Sequence, residues 1–491
     1  MLEALLVERG ARVELETYGF QDVSDHGGSR VDLRDLTAFT VDPDTAKDFD
    51  DALSFRREAD GIRAWVHIAD VSYFVRAGSP LDHGASERAL STYVPGLVAP
   101  MLPHELADDL CSLRPLQDRL AVTVELPPRG EPSFYRSVIN SRARLTYGQA
   151  QRREAEPAIL EQLELADEVA GELRRKRFGR GALQVATPEV VFRFEDGRVA
   201  DAWLEGEPHA HMLVEELMIL ANEEVAVFLA GRNREALYRV HERPDPQSIE
   251  LLLAKLAELG VPTPPAPESL SPQRAAELAG EISRRVTEYT AQAGRGREAF
   301  PALVLRALKQ ARYDPRNLGH SGLASRAYCH FTSPIRRYPD LVVHRALLRE
   351  LGQGDDPVPS DLPEVAEHAS AREREAAEVE YLADDICLAW LLEDVLHARG
   401  WQETFTGEIT GLIGSGLFAR FGGVYEGFLP ARRLPGEFFE LNELGTALQG
   451  RRTGRRYRLG DPIDVRVESI ARAEGKIELA LALTSGESRA R

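Results

Sequence analysis

Cysteine is scarce in this sequence: three occur in 491 residues, at Cys111, Cys329 and Cys387. The count is odd and no two of them have the spacing of paired metal ligands, so the sequence suggests neither a disulfide framework nor a structural zinc site. Chains without structural disulfides are typical of the reducing cytosol, and we therefore expect a cytoplasmic protein.

Long apolar runs are also missing. No uninterrupted apolar stretch approaches the ~20 residues that a membrane span requires, and the amino terminus, MLEALLVERG, has no basic leader. The sequence therefore gives no sign of export or membrane insertion. Its 43% hydrophobic and 28% charged residues are the balance of a globular protein, and the length suffices for roughly two to four domains.

Basic residues are fewer than acidic ones, 60 against 79, and the formal net charge is −19. Such a charge argues against a nucleic-acid partner, because phosphate contacts usually come from a basic surface. The charge is unevenly distributed, however: five arginines lie within the eight positions 451–458, whereas 161–172 and 364–380 are rich in acids. Two interpretations stay open, a basic binding face on an acidic body and a solvated arginine loop.

The periodicity of apolar residues predicts a large mixed α/β (α+β) domain. Residues 64–69 are strand-like, and a long polar helix is expected to end near Arg399. Four further stretches have the periodicity of amphipathic helices: 154–176, 211–229, 246–259 and 271–291. The proline-rich stretch 261–267 is expected to be a loop between two of these helices.

The pattern of apolar residues and glycines changes after the long helix. From 403 to 483, short alternating segments are separated by glycines, which is typical of a small antiparallel OB-type barrel. We therefore predict three parts: a short amino-terminal segment (1–35), an α/β domain (36–399) and an all-β barrel (402–484).

Acidic residues crowd one short stretch, with five in ten positions: Asp42, Asp44, Asp48, Asp50 and Asp51. They converge only if the chain turns, and Pro43, directly after the apolar strand that Val41 ends, supplies a turn. Clustered carboxylates are hard oxygen ligands for one or two Mg²⁺ ions, which neutralise charge during phosphodiester hydrolysis.

Two other interpretations of the acidic stretch fit the residues less well. A calcium loop counted from Asp42 would place Lys47 where glycine is needed and Leu53 where glutamate is needed, so we discount it. A helix cap with solvated acids explains Asp42 or Asp44, but it gives no reason for three further acids beside an apolar strand.

A second motif runs from Ala327 to Arg345. Its Ser333-Pro334 pair is expected to start a helix that carries Arg336 and Arg337, which would place positive charge and free N–H groups where a phosphate could dock. For the other polar residues of this stretch, His330, His344 and Arg345, ordinary helix packing and surface charge are the simpler interpretation.

Several long motifs together resemble the catalytic domain shared by ribonuclease II and ribonuclease R, in that family's order. They are the acidic run at 40–51, HIADVSYFVR from His67, YVPGLVAPMLP from Tyr93, LCSLRP from Leu110, VEELMILAN from Val214 and HFTSPIRRYPDL from His330. The resemblance covers about 36–399, and 403–483 is similar to the S1-type OB barrel that follows this domain in the family.

The resemblance implies a catalytic site. Asp42, Asp48 and Asp51 would bind Mg²⁺, with Mn²⁺ as the alternative, directly or through water. Asp50 would complete the metal set and orient the terminal ribose and the scissile phosphate. Arg336 would stabilise charge in the transition state.

The resemblance also implies RNA contacts. Tyr147 would be an aromatic wedge near the scissile bond, Tyr93 would hold the last nucleotide, Glu215 would contact that nucleotide, and Glu378 would contact RNA from the long helix. On the barrel, we expect contacts from Phe418, Phe421, Arg451 and Arg455.

The activity implied is that of a monomeric 3′–5′ exoribonuclease. It would hydrolyse single-stranded RNA with a free 3′ end, processively, to nucleoside 5′-monophosphates. Two alternatives remain: an RNA-binding regulator built on a catalytically silent copy of the domain, and a phosphodiesterase that acts only on short oligonucleotides. The intact acidic run and Arg336 argue against the silent copy.

Three features depart from the family pattern. The family places an aromatic base clamp after a Gly-Ala-Leu run, but here Gln184 and Val185 follow it, and Asp108-Asp109 stand where the family tends to have Ser-Asn. Family members usually carry two cold-shock barrels before the catalytic domain. The 35 residues that precede it here are too few for even one.

Overall fold

The computed structural model describes residues 1–17, 29–185, 188–206, 209–265, 267 and 269–482. Its helices are α1 (Leu2–Glu8), α2 (Val71–Phe74), α3 (Pro80–Arg88), α4 (Tyr147–Arg152), α5 (Pro157–Gly179), α6 (His209–Gly231), α7 (Pro246–Glu258), α8 (Pro272–Ala293), α9 (Ala299–Arg306), α10 (Tyr338–Glu350) and α11 (Leu362–Arg399). A π-helical turn spans Glu105–Leu110, and 3₁₀ turns span Ser321–Leu323, Ala431–Arg433 and Arg472–Glu474.

The strands are β1 (Val31–Asp32), β2 (Ala38–Asp42), β3 (Asp51–Glu58), β4 (Gly61–Ala69), β5 (Thr92–Val94), β6 (Leu97–Ala99), β7 (Asp118–Leu126), β8 (Ser133–Thr146), β9 (Glu189–Glu195), β10 (Arg198–Glu205), β11 (Tyr238–Val240), β12 (Arg312–Asp314), β13 (Phe405–Ile413), β14 (Gly416–Phe421), β15 (Tyr425–Pro430), β16 (Phe439–Leu441), β17 (Ala447–Gly450), β18 (Arg456–Arg458), β19 (Pro462–Ala471) and β20 (Lys476–Leu481).

The central sheet has the order β1-β8-β2-β3-β4-β7, and β7 also pairs with β8. The 14-residue strand β8 makes this possible, because its first part pairs antiparallel with β7 and its last part pairs parallel with β2. The parallel register places Asp42, the last residue of β2, beside Thr146, the last residue of β8. The carboxyl ends of two parallel strands therefore meet at one edge of the sheet.

Both faces of the sheet are buried. Successive residues of a strand point to opposite faces: Leu53 of β3 belongs to the core that includes Leu163 of α5 and Leu217 of α6. The preceding residue, Ala52, belongs to the core on the other side, which includes Leu341 of α10. Two apolar cores of this size hold the sheet edge, and the residues at it, in a fixed position.

The carboxy-terminal part is a closed barrel, β13-β14-β15-β20-β19, with the small sheet β16-β17-β18 between β15 and β19 in the chain. Polar contacts fix it to the α/β domain. Glu408 of β13 accepts hydrogen bonds from the N–H groups of Arg297, Glu298 and Ala299 at 3.1–3.2 Å, and so caps the start of α9. Arg295 pairs with Asp461 at 2.9 Å.

The predicted helices are confirmed with small shifts in their bounds: they are α5, α6, α7, α8 and, for the long polar helix, α11. The strand-like run 64–69 lies in β4. The proline-rich stretch lies between α7 and α8, as predicted, although residue 266 is outside the described part. The predicted barrel segments are β13, β14, β15 and β19, and the expected end at 483–484 also lies outside it.

The helices of the described ranges differ in length and apolar character. None of the helices there combines the length and the apolar character that crossing a bilayer needs.

Candidate catalytic site

The acidic stretch follows β2 as a loop with defined anchors. Ala46 donates its N–H to the Pro43 carbonyl at 3.1 Å, which forms the turn that Pro43 was expected to supply. The Ser112 hydroxyl accepts the N–H of Phe49 at 3.0 Å and donates to the Lys47 carbonyl at 2.7 Å. Because both ends of the loop are held, its carboxylates face one place at the sheet edge.

Asp50 and Asp51 stand at the start of β3. Asp50 is 4% exposed, and its Oδ1 accepts the backbone N–H of Ile335 at 2.8 Å. Asp51 pairs in register with Ile68 of β4. These two acids are therefore fixed by the sheet and by a segment almost 300 residues further along the chain.

Burial and the charges of neighbouring carboxylates raise the pKa values of these aspartates. Burial raises the pKa of Asp42 to about 6, and the charge of Asp48 adds to the rise. Burial raises the pKa of Asp51 to about 7, and the charge of Asp42 adds to it. The pKa of Asp50 also lies well above its ordinary value, chiefly through burial. Like charges held together out of water are typical of sites that bind a cation.

The oxygens themselves fit a hard cation. Within the described residues, Asp42 Oδ2 and Asp50 Oδ2 are buried without a hydrogen-bond partner. In the same part of the chain, no three His, Cys, Asp or Glu side chains already stand at the spacing of a formed metal site. The carboxylates of this stretch therefore lie near one another without standing at metal-ligand spacing, and carboxylate oxygens are the donors that hard cations prefer.

Arg336 lies beside these acids, with its Nε 3.4 Å from Asp50 Oδ2. Its side chain is 45% exposed, so one side of the guanidinium faces solvent. The expectation that Ser333-Pro334 begins a helix is wrong, since α10 begins at Tyr338. Asp340 is the reason: it accepts the N–H of Ser333 at 2.8 Å and pairs with Arg337, and so closes a turn before the helix.

Asn222 of α6 is a residue whose role the sequence did not reveal. It is 3% exposed, its Oδ1 accepts the N–H of Phe331 at 2.8 Å, and its Nδ2 donates to the Tyr328 hydroxyl at 3.1 Å. These bonds hold the segment that leads into Arg336. More than 100 residues separate the partners, and local patterns give no signal for such a contact.

The packing interpretation of the neighbouring polar residues is confirmed for His344, whereas surface charge is wrong for Arg345, which is buried, and His330 lies before the helix. His344 is buried and stacks on Phe331, with ring centroids 4.2 Å apart. Arg345 is 2% exposed and pairs with Asp82 at 2.7 Å. His330 accepts or donates a 2.8 Å hydrogen bond with the Tyr313 hydroxyl.

Tyr93 reaches the acidic stretch from the hairpin of β5 and β6. Its hydroxyl donates to Asp48 Oδ2 at 2.8 Å, and the ring remains 37% exposed. The base of the hairpin is joined to the arginine turn, because Ser91 donates its N–H to the Arg336 carbonyl at 3.0 Å. Tyr93, Asp48 and Arg336 therefore lie close together, and the exposed parts of Tyr93 and Arg336 leave this place open to solvent, an opening beside the aspartates.

The long helix α11 contacts this hairpin through Glu380. Glu380 Oε1 accepts the N–H of Tyr93 at 2.8 Å. Glu378, the residue expected to reach RNA, is exposed and lines a separate cavity of about 250 Å³ with Arg9 and Arg372. Two residues on a helix differ by about 200° in direction, so Glu378 and Glu380 face opposite sides, and Glu378 is not brought to the aspartates.

Tyr147 is brought to the acids. It begins α4 directly after Thr146, whose side chain caps that helix by accepting the N–H of Gln149 at 3.0 Å. Burial raises the Tyr147 pKa, and the charges of Asp51 and Asp42 add to the rise. The opposite side of the ring is 5.3 Å from His211 of α6, centroid to centroid.

Glu215 lies one turn beyond His211 on α6. Its carboxylate is 3.9 Å from Arg174 and 3.8 Å from Arg177, both on α5, and its side chain is 31% exposed. Glu215 is therefore on the same helix as His211, which packs against Tyr147. In this structure the carboxylate of Glu215 contacts arginines of α5.

The expected RNA contacts of the barrel differ in accessibility. Phe421 is 1% exposed in the barrel core, so the expectation of a stacking surface there is wrong, since no ring face is open to a base. Phe418 is half-buried on the outside, beside Phe428. Arg451 forms an ion pair with Glu440, and Arg455 lies over the Tyr457 ring at 5.3 Å.

Comparisons with known proteins agree with this geometry. The model of the RNB domain family matches residues 30–353. Ribonuclease R of Escherichia coli is 36% identical over 481 residues, which cover 92% of this chain and 57% of that protein. The chain thus spans little more than half the length of this relative.

Solved structures of RNase R are similar to this chain as well. The apo form of RNase R from Mycoplasma genitalium has a TM-score of 0.88 and 28% identity, and the match covers 98% of this chain and 77% of that one. The same enzyme in complex with ribose-methylated single-stranded RNA has a TM-score of 0.88 and 27% identity, with the same coverage.

Proposed function

Because this chain belongs to the ribonuclease II and ribonuclease R family that the RNB domain defines, we propose that it is a 3′–5′ exoribonuclease. It hydrolyses single-stranded RNA with a free 3′ end, processively, to nucleoside 5′-monophosphates. The observation that carries this proposal is the set of buried carboxylates around Asp50, which shares one opening with Arg336 and Tyr93.

Asp42, Asp48, Asp50 and Asp51 would hold the metal, directly or through water. The oxygens of Asp42 and Asp50 that lack a hydrogen-bond partner and the raised pKa values support this assignment. The ion is Mg²⁺, with Mn²⁺ as the alternative, since every donor is a carboxylate oxygen. When bound, it supplies charge neutralisation at the attacking and leaving oxygens of the phosphodiester.

The protein groups would then act on the RNA end. Arg336 faces the opening with a fixed positive charge, which stabilises a phosphorane-like transition state most effectively where water is excluded. Asp50, held by the Ile335 N–H, orients the terminal ribose and the scissile phosphate. Tyr93 holds the last nucleotide, and Tyr147 is the wedge beside the scissile bond.

Two acids have more distant roles in this proposal. Glu215 contacts the terminal nucleotide after leaving its long ion pairs with α5. Glu378 contacts RNA outside the opening, since its cavity lies on another side of α11.

The proposal divides the chain into the segment 1–35, a catalytic domain at 36–399 and an S1-type OB barrel at 402–484. The barrel would bind RNA through Phe418, Arg451 and Arg455, by stacking and backbone charge without sequence preference. We propose a monomer that works in the cytoplasm.

The test compares linear and covalently circular RNA of one sequence, each with Mg²⁺. An exoribonuclease degrades the linear form and leaves the circle intact, because only the linear RNA has an end to enter the opening. A 5′-phosphorylated linear RNA whose 3′ end is blocked by an inverted nucleotide is the matched control and should also persist. Degradation of the circle would show an endonuclease and contradict the proposal.

A further inference from the structure

The hairpin that carries Tyr93 is small. Its strands β5 and β6 have three residues each and form a separate two-stranded sheet. A two-stranded hairpin is marginally stable by itself. Its base is joined to the arginine turn through Ser91, so the position of Tyr93, beyond the base, depends on what the two strands pack against.

The two faces of the hairpin have different surroundings. Successive residues of a strand point to opposite faces, and the Tyr93 hydroxyl reaches Asp48 on one of them. The residues on either side of Tyr93, Thr92 and Val94, are 6% and 5% exposed. Thr92 pairs in register with Ala99, which shares its face and is buried as well. The face behind Tyr93 is therefore covered.

The amino-terminal helix α1 contributes this cover. Leu6 of α1 is fully buried. It belongs to a small apolar cluster that includes residues of the hairpin and of α11: Val94, Ala99, Val379 and Ala383. This cluster is separate from the two cores that cover the central sheet. Leu6 therefore packs α1 against both the back of the hairpin and the long helix.

A defined turn ends α1 at this place. Gly10 has φ +77°, in the left-handed region that favours glycine. Its N–H bonds the Val7 carbonyl at 3.0 Å, and the N–H of Ala11 bonds the Leu6 carbonyl at 2.8 Å. These two bonds are the Schellman pattern of a helix end. Ala11 then packs beside the same apolar cluster, so the turn directs the chain back over Leu6.

A cavity of about 250 Å³ lies beside this contact. The end of α1, Thr92 of the hairpin and one side of α11 line it. The packing behind β5 is therefore incomplete, and the hairpin has space to shift if Leu6 is shortened. A shift would lengthen two bonds of Tyr93, because its N–H donates to Glu380 and its hydroxyl donates to Asp48, each at 2.8 Å.

We propose that α1 positions Tyr93 and that Leu6 is the positioning residue. Leu6 holds the hairpin against α11, which keeps the Tyr93 hydroxyl at Asp48 and the ring at the place of the last nucleotide. Leu6 acts through the hairpin, since it is buried on the face away from Asp48. The inference rests on the proposed function, which gives Tyr93 its role, and it adds the amino-terminal helix to the parts that hold the RNA end.

Amide hydrogen exchange of the full chain without RNA tests the contact itself. Leu6→Ala removes most of the buried side chain and should speed exchange in peptides covering 92–99, which include the N–H that Glu380 holds. Peptides from β3 and β4 should not change. Val7→Ala, at an exposed position of the same helix, is the matched control and should change neither set. Unchanged exchange at 92–99 in Leu6→Ala overturns the positioning role.

Cleavage of a short single-stranded RNA tests the link to Tyr93. Leu6→Ala should lower kcat/KM by up to about 100-fold, the loss that a displacement of about 1 Å in a site can cause. In a Tyr93→Ala background the same change should have an effect of less than about 2-fold, because the residue that Leu6 positions is absent. A general loss of stability would instead lower cleavage equally in both backgrounds, and that result overturns the inference.

Two further variants separate packing from folding. Leu6→Met nearly conserves the volume and should retain cleavage within a few-fold of wild type. Gly10→Ala strains the turn after α1 without entering the cluster, since a Cβ there meets open space, and should give a smaller loss that also disappears in the Tyr93→Ala background. Failure of the wild-type chain to release mononucleotides overturns the proposed function instead, and hydrogen exchange then still decides whether α1 holds the hairpin.

Discussion

Ile335 donates its backbone N–H to Asp50 Oδ1 at 2.8 Å, so the acid at the start of β3 and the turn that carries Arg336 move as one unit. The other oxygen of Asp50 points toward Arg336. This bond explains why two motifs almost 300 residues apart in the chain form one site.

Asp50→Asn tests the charge of that carboxylate. The amide oxygen still accepts from Ile335, so the turn should keep its position, while the negative charge is lost. We expect cleavage to fall at least about 100-fold, with RNA affinity within a few-fold of wild type, because binding rests on contacts elsewhere. Single-turnover cleavage and equilibrium binding measure the two. Turnover above a tenth of wild type would contradict the assignment.

Asn222→Ala tests the support of the arginine turn. It leaves the N–H of Phe331 buried without its acceptor, which should cost about 1–3 kcal/mol in the free energy of unfolding, and it should lower turnover through displacement of Arg336. Urea unfolding gives the first quantity. Gln292→Ala, at an exposed position of α8, is the control and should cost less than about 0.5 kcal/mol. If both variants lost the same unfolding free energy and the same turnover, Asn222 would not support the turn that carries Arg336.

Asp384 of α11 should make the stability of the folded state depend on pH. Burial and the charges of Asp385, Glu380 and Glu189 raise its pKa from 3.8 to about 7. The folded state therefore holds this proton more tightly than the unfolded chain, and the stability it contributes is present below pH 3.8 and lost as pH rises to about 7.

Asp384→Asn should remove that loss. The variant should gain stability over wild type from pH 5 upward, measured as the urea midpoint, with the gain growing to about pH 7 and levelling off above it. Asp394→Asn, exposed on the same helix, should show no such trend. A constant difference across this range would mean that Asp384 is already ionised at pH 5.

The arginine run of the barrel is tested by salt dependence. Arg455→Ala should reduce the salt slope of RNA binding by about 1. Arg451→Ala should reduce it by less, because Glu440 already neutralises that guanidinium. Glu440→Gln should consequently strengthen binding and steepen the slope. A slope unchanged in all three variants would show that this face of the barrel does not touch RNA.

The sequence alone predicted the elements whose patterns are local. The helices α5 to α8, four strands of the barrel (β13, β14, β15 and β19) and the turn at Pro43 follow from periodicity and from turn chemistry within a few residues. The acidic run was recognisable because its spacing is local as well. The structure adds that the half-buried Asp42 and Asp51 lie together at one sheet edge, where the charge of Asp42 acts on Asp51.

The direction in which a side chain points was less predictable from the sequence. In β14, apolar residues occupy both faces, so alternation could not decide that Phe421 points inward and Phe418 outward. On α11, acids occur on every side, and the sequence pattern could not distinguish Glu378 from Glu380. Asn222 acts through partners more than 100 residues away. These choices are made by tertiary packing, which no local pattern encodes.

The central claim is that the carboxylates around Asp50 hydrolyse RNA from its 3′ end with a bound divalent ion. It is tested most directly by digesting 5′-end-labelled single-stranded RNA with and without Mg²⁺ and resolving the products to the nucleotide. We expect progressive shortening from the 3′ end with release of nucleoside 5′-monophosphates, arrest by a chelator, and recovery on adding Mg²⁺. Tight RNA binding with no cleavage under any of these conditions would contradict it.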